Sequence, residues 1–187
     1  GGNNAAFGAN ALSSNSAGSN NVAVGESALT YSTTSNLTAV GHTAGFNATT
    51  ATALVLIGRE AGKAITTGSE NTAVGYDSMQ KTTTGSYNTA LGMRSSFSNT
   101  TGNANTSIGY KAGYTNSTSN FNTFIGYKAG YSSTGRYNTF VGTGTITNVA
   151  DYGSGQLMTT GEKNTIIGGF NGNQGGLDIR TSSNNIV

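Results

Sequence analysis

The feature that most constrains this chain is a short phrase, asparagine-threonine-x-aliphatic-glycine, that returns at a fixed interval. Its closing glycines are Gly8, Gly25, Gly41, Gly58, Gly75, Gly92, Gly109, Gly126 and Gly142, spaced by 17 residues except for two steps of 16. The residue before each glycine is Phe7, Val24, Val40, Ile57, Val74, Leu91, Ile108, Ile125 or Val141, and it is never polar. Four before the glycine stand Asn4, Asn21, Asn71, Asn88, Asn105, Asn122 and Asn138, replaced only by Leu37 and Leu54. Eight before it runs an unbroken threonine series from Thr33 to Thr134.

A 17-residue unit is too short for a helical repeat. β-Branched residues punctuated by glycine and asparagine favour strands and tight turns. The spacing therefore predicts an all-β fold, a β-solenoid or β-roll of 17-residue coils: short strand, corner, short strand, turn. Stacked coils lie about 4.8 Å apart, so equivalent residues form columns. The column Val74, Leu91, Ile108, Ile125, Val141 then lines one face. The column Asn71, Asn88, Asn105, Asn122, Asn138 can bond amide to amide from coil to coil. The chain has no proline, as expected where every backbone N–H is needed by a neighbouring coil.

The residue on the other side of each strand is also mostly apolar: Ala6, Ala23, Ala39, Leu56, Ala73, Ala90, Ser107, Phe124, Phe140 and Ile166. Strands that are apolar on both faces are buried on both. If the aliphatic column fills the lumen, this second, alanine-rich column is expected to meet another subunit, most simply in a cyclic homo-oligomer.

The phrases at 71–75, 88–92 and 122–126, with "GYKAGY" and "TTGSYNTALG", resemble the head repeats of trimeric autotransporter adhesins and, more closely, the related repeats of bacteriophage tail fibres. The resemblance spans residues 4–142 and returns at 164–168. It implies an intertwined or side-by-side homotrimer of left-handed parallel β-rolls. It also implies an extracellular setting, on a virion tail fibre or a bacterial cell surface, and a role in host attachment. The implied partners are the chain itself and a cell-surface glycan or outer-membrane receptor.

The repeat divides the chain into a β-roll domain over 1–142, an inserted loop over 143–160, and irregular terminal coils over 161–187. The chain lacks an initiator methionine, and the last phrase, Asn184-Asn185-Ile186-Val187, lacks its glycine, so a longer parent with a further C-terminal region is expected. Within the loop, Asp151 and Tyr152 are candidates for receptor contact, because insertions in repeat proteins often supply the binding face. Stacking also lines up Glu60, Asp77, Arg94, Lys111 and Lys128, flanked by Tyr76, Met93, Tyr110 and Tyr127 on one side and Phe97, Tyr114 and Tyr131 on the other. The candidates there are Tyr76, Arg94, Tyr110, Lys111, Tyr127 and Lys128, whose cations and rings suit an anionic glycan.

Catalysis finds no constellation. His42 is the only histidine, there is no cysteine, and Glu60 and Asp77 face no cleft. No cofactor or metal is expected. A formal net charge of +2 gives no nucleic-acid groove, and no apolar stretch is long enough for membrane insertion. The expectation is a non-enzymatic structural and receptor-binding fibre segment. The alternatives are a bacterial trimeric surface adhesin, or an ice-binding solenoid using a threonine ladder. The Thr33 series suits ice poorly, because its hydroxyl residues are adjacent and lead into a turn.

Overall fold

The computed structural model describes residues 1–143, 153–174 and 177–187. Each repeat contributes one short strand: β1 (Ala5–Phe7), β2 (Val22–Val24), β3 (Leu37–Val40), β4 (Leu54–Ile57) and β5 (Thr72–Val74). The series continues with β6 (Thr89–Leu91), β7 (Thr106–Ile108), β8 (Thr123–Ile125), β9 (Thr139–Val141) and β10 (Thr165–Ile167). These ten form a single parallel sheet in chain order. The register follows the repeat: Val74 pairs with Leu91, Leu91 with Ile108, and Ile108 with Ile125. A short antiparallel pair, β11 (Asn173–Gln174) and β12 (Leu177–Asp178), follows. The chain is thus a parallel β-solenoid with the expected period.

It carries one strand per coil rather than two. The residue two beyond the glycine has positive φ in coil after coil, including Asn10 (57°), Glu60 (57°), Asp77 (56°), Arg94 (56°), Lys111 (53°) and Lys128 (50°). A left-handed residue cannot continue an extended strand. The chain curls there instead, and its amides alternate in direction. The Ala28 N–H bonds within its turn to the Gly25 carbonyl (3.3 Å), and the Leu29 N–H bonds to the next coil at Ala44 (3.0 Å). The closing glycine is obligatory for a separate reason: at Gly75 (φ +132°) a Cβ would sit 2.6 Å from the Gly92 carbonyl group.

From Asn71 onward the asparagine column is a continuous ladder. The Asn105 carboxamide oxygen accepts from the Asn122 backbone N–H (3.0 Å) and Nδ2 (3.2 Å). Its own Nδ2 donates to the Ser119 carbonyl (2.8 Å) and to Asn88 Oδ1 (3.2 Å). The ladder runs on through Asn138 and Asn164 to Asn185. Asn105→Ala is expected to strand the Asn122 N–H and the Ser119 carbonyl. Each buried unpaired group costs about 1–3 kcal/mol, so urea unfolding should show a loss of roughly 2–4 kcal/mol. Asn105→Leu should not be rescued, although Leu37 and Leu54 occupy the same column. Those leucines share the lumen with buried Ala48, Ala51 and Ile65, whereas the corresponding residues around Asn105 include buried Asn99 and Asn116.

The lumen corrects the expected assignment of faces. Ala23, Ala39, Leu56, Ala73, Ala90, Phe124, Phe140 and Ile166 have no exposed surface, so the alanine column is the interior of the chain itself. The aliphatic column points outward: Val40, Val74, Leu91, Ile108, Ile125 and Val141 are half-buried, Val24 and Ile57 are 37% and 39% exposed, and Phe7 and Ile167 are the most open. The coil is narrow, and only small residues or compensated large ones fit inside.

Compensation is explicit. Four residues beyond the glycine, the turn inserts a side chain into the lumen in several coils whose strand residue is small, as with Leu29 in the coil of Ala23 and Met79 in the coil of Ala73. Beside Ala39 and Ser107 the turn residue is instead Gly45 or Gly113, where a Cβ would meet Leu29 and Leu56, or Phe124, of the adjacent coils at 2.8 Å. Where the strand residue is large, the turn residue is glycine. A Cβ on Gly130 would lie 2.4 Å from the Phe124 ring, and one on Gly155 would lie 2.4 Å from Phe140. A hydroxyl segment separates the two apolar ends, with Ser96 donating to Ser107 (2.8 Å) and Ser78 bonded to Ser95 (3.1 Å).

Beyond Gly142 the chain returns to the stack at Gly153. Gly130 N–H donates to the Ser154 carbonyl (2.9 Å), Ser132 N–H to Gln156 (3.1 Å) and Thr134 N–H to Thr159 (2.7 Å), so 153–160 lies on the preceding coil. Residues 185–187 in turn pair with β10, through Thr165 N–H to Asn185 (2.7 Å) and Ile167 N–H to Val187 (2.9 Å).

Candidate interaction surfaces

Two surfaces stand out, and the strand register builds both. The first is the outer face of the sheet. Alternation along the last three residues of each strand turns the first and third of them outward. The third residues give the aliphatic row, and the first give Val22, Thr38, Val55, Thr72, Thr89, Thr106, Thr123, Thr139 and Thr165. Neither row contains a charged residue from β1 to β10. Ten strands at about 4.8 Å make a flat, uncharged strip roughly 45 Å long. Apolar patches of that extent on a single chain mark interaction sites.

Sequence reasoning turned the alanine column outward, whereas it is buried within the chain, and it weighed only the Thr33 series as a threonine ladder. The signal for the sheet row was present in the repeated phrase, where threonine precedes an inward residue and an outward aliphatic. Beside the Thr33 series, Thr49, Thr66, Thr83 and Thr100 donate their hydroxyls to the carbonyl of the next coil (3.0–3.2 Å). That row stitches coils together.

The second surface follows the turn after the glycine. Its rings form ladders: Tyr110 stacks on Tyr127 (5.3 Å between centroids), Phe97 on Tyr114 (5.1 Å), and Tyr114 on Tyr131 (5.0 Å). Between the ladders, Lys111 Nζ lies 5.2 Å from the Tyr110 ring and 5.4 Å from Tyr114, and Lys128 Nζ lies 5.1 Å from Tyr127. Arg94 stands between Tyr76 (5.9 Å) and Phe97 (5.8 Å). The structure thus brings together the sequence candidates Tyr76, Arg94, Tyr110, Lys111, Tyr127 and Lys128. Asp151 and Tyr152 lie outside the described residues.

The acids in the same column are occupied. Asp77 is buried and accepts from Arg94 Nε (3.2 Å), which raises the guanidinium's affinity for its proton. Glu60 meets Arg59 (2.7 Å), Lys63 (3.4 Å) and the Gln80 amide (2.6 Å). Burial alone would raise the Glu60 carboxyl, but Lys63, Arg59 and the Gln80 amide together hold it below the ordinary glutamate range. Both carboxylates serve as structural bridges between coils. His42 is exposed, with Glu26 3.9 Å away and the Thr43 hydroxyl 3.4 Å from its Nδ1. Among the described residues no group of three or more histidines, cysteines or acids could hold a metal ion, and no helix is long and apolar enough to cross a membrane. Compared with known proteins, the chain matches no family model, no curated protein and no solved structure.

Proposed function

We propose that this solenoid is a non-enzymatic segment of a homotrimeric fibre, in a phage tail fibre or a bacterial surface adhesin, that attaches to a bacterial cell surface outside the cell. The observation that carries the reading is the uncharged threonine–aliphatic strip. Three copies packing their strips around a common axis would bury it, and the two-sided burial expected from the sequence would then be met with the faces exchanged. The resemblance of the repeats supplies the number three and the setting. Rigidity comes from the unbroken coil-to-coil bonding, and triplication lets weak surface contacts act together.

A second reading uses the same strip. Thr72, Thr89, Thr106, Thr123, Thr139 and Thr165 form one regular outward row on a flat sheet, each two residues from an outward aliphatic with one inward residue between. An ice-binding face generally wants two outward threonines separated by one inward residue; this row has that spacing, which the Thr33 series lacks, with an aliphatic in the second place. The two readings exclude each other on one surface, since a strip buried between copies meets no ice.

The chain has no cysteine, so a single introduced thiol reports on each face. Ile108→Cys, on the strip, is expected to react with a maleimide far more slowly than Thr101→Cys, on the exposed turn, until the assembly is dissociated. Equal rates, together with thermal hysteresis of the parent chain, would replace the fibre reading by the ice reading.

A further inference from the structure

The channel between the aromatic ladders has a chemistry that the strip lacks. In each ladder the rings lie face on face, within 2° of parallel for Tyr114–Tyr131 and 5° for Phe97–Tyr114. Tyr110 and Tyr127 are stacked at 18°, so within each ladder the surfaces that face one another are covered, and Lys111 and Lys128 lie over the rings as well. This changes the sequence expectation, in which sugar rings stack on exposed tyrosine faces. The channel floor adds Arg94, Lys111 and Lys128 at successive coils, about 4.8 Å apart. Among the described residues Arg94 alone of the three is paired to a carboxylate. The cations thus form a line parallel to the stacking axis, with Lys111 held over Tyr110 and Tyr114 and Lys128 over Tyr127. The phenol hydroxyls of Tyr110, Tyr114 and Tyr131 stand along the two walls as donors and acceptors.

We infer that this channel binds a linear acidic polysaccharide, a polymer of uronate type, laid along the solenoid axis. The inference rests on the surface-attachment reading above and gives its ligand class. Carboxylates meet the lysines, and sugar hydroxyls meet the tyrosine hydroxyls on either side. Nucleic acid is disfavoured because the ring faces that would take bases are already stacked.

The test uses polygalacturonate as the probe, with neutral dextran and long-chain polyphosphate in parallel, in a binding titration at two salt concentrations. Asparagine is the suitable replacement for the lysines. Both have positive φ, and Asn10 holds the same column at 57°. The parent chain is expected to bind polygalacturonate in a salt-sensitive manner and to ignore dextran. Lys111→Asn combined with Lys128→Asn should weaken binding roughly tenfold, as for two modest charge contacts. Lys163→Asn, a cation with φ of 56° in a different column, should leave binding unchanged. No binding to polygalacturonate at low salt, an equal loss from Lys163→Asn, or tighter binding of polyphosphate would each overturn the assignment. Native mass measured on the same samples separates the two readings, because a parent chain that assembles yet ignores polygalacturonate counts against the channel alone.

Discussion

Ile108→Asp should give a folded single chain that no longer assembles. Ile108 lies on the outer face of β7, between Leu91 and Ile125 in the register. Within one chain its loss removes cross-strand contacts worth about 0.2–1 kcal/mol each. The lumen beneath it, at Ser107, is untouched. In an assembly that buries the strip, the same change places one unpaired carboxylate per chain against its copies, a penalty of several kcal/mol for each buried charge. Circular dichroism should therefore stay solenoid-like while native mass falls to one chain. A variant that keeps the parent mass and melting temperature would show that the aliphatic row is not the interface.

The second large effect concerns the lumen. Phe124→Ala removes a fully buried ring and should cost roughly 3–5 kcal/mol. Gly130→Met alone should also destabilise by about 1–3 kcal/mol or more, because its Cβ begins 2.4 Å from that ring. Combined, the two changes recreate the arrangement of Ala73 with Met79, in which the turn fills the space that the strand vacates. The double variant should be more stable than the sum of the single losses implies, with a coupling of about 1–3 kcal/mol in urea unfolding. Simple additivity would mean that strand and turn side chains do not share one space.

The period, the parallel register and the asparagine ladder were legible because stacking repeats the same demand at every coil. Asn88, Asn105 and Asn122 recur since each satisfies the backbone of its neighbour, and a lapse leaves a buried group unpaired. Alternation showed that both strand faces are apolar, but alternation alone does not say which face is inside. The sizes did hold that answer: a column of Ala23, Ala39, Ala73 and Ala90 suits a narrow lumen, and the bulkier Ile57 and Ile108 suit a broad outer face. The single strand per coil was hidden for another reason. Glu60, Arg94 and Lys111 have no preference for positive φ, and only bonding to adjacent coils holds them there. The turn candidates lie along one stripe, yet spacing could not reveal that their rings stack on one another. The threonine row of the sheet was visible in the phrase itself and was passed over for the more regular Thr33 series.

The account turns on the uncharged strip being an interface between copies of this chain. Native mass spectrometry of the unmodified chain tests that most directly. The expected result is a species of three chains with no significant single-chain population. A lone chain at working concentration, with the strip from Val24 to Val141 open to solvent, would contradict it.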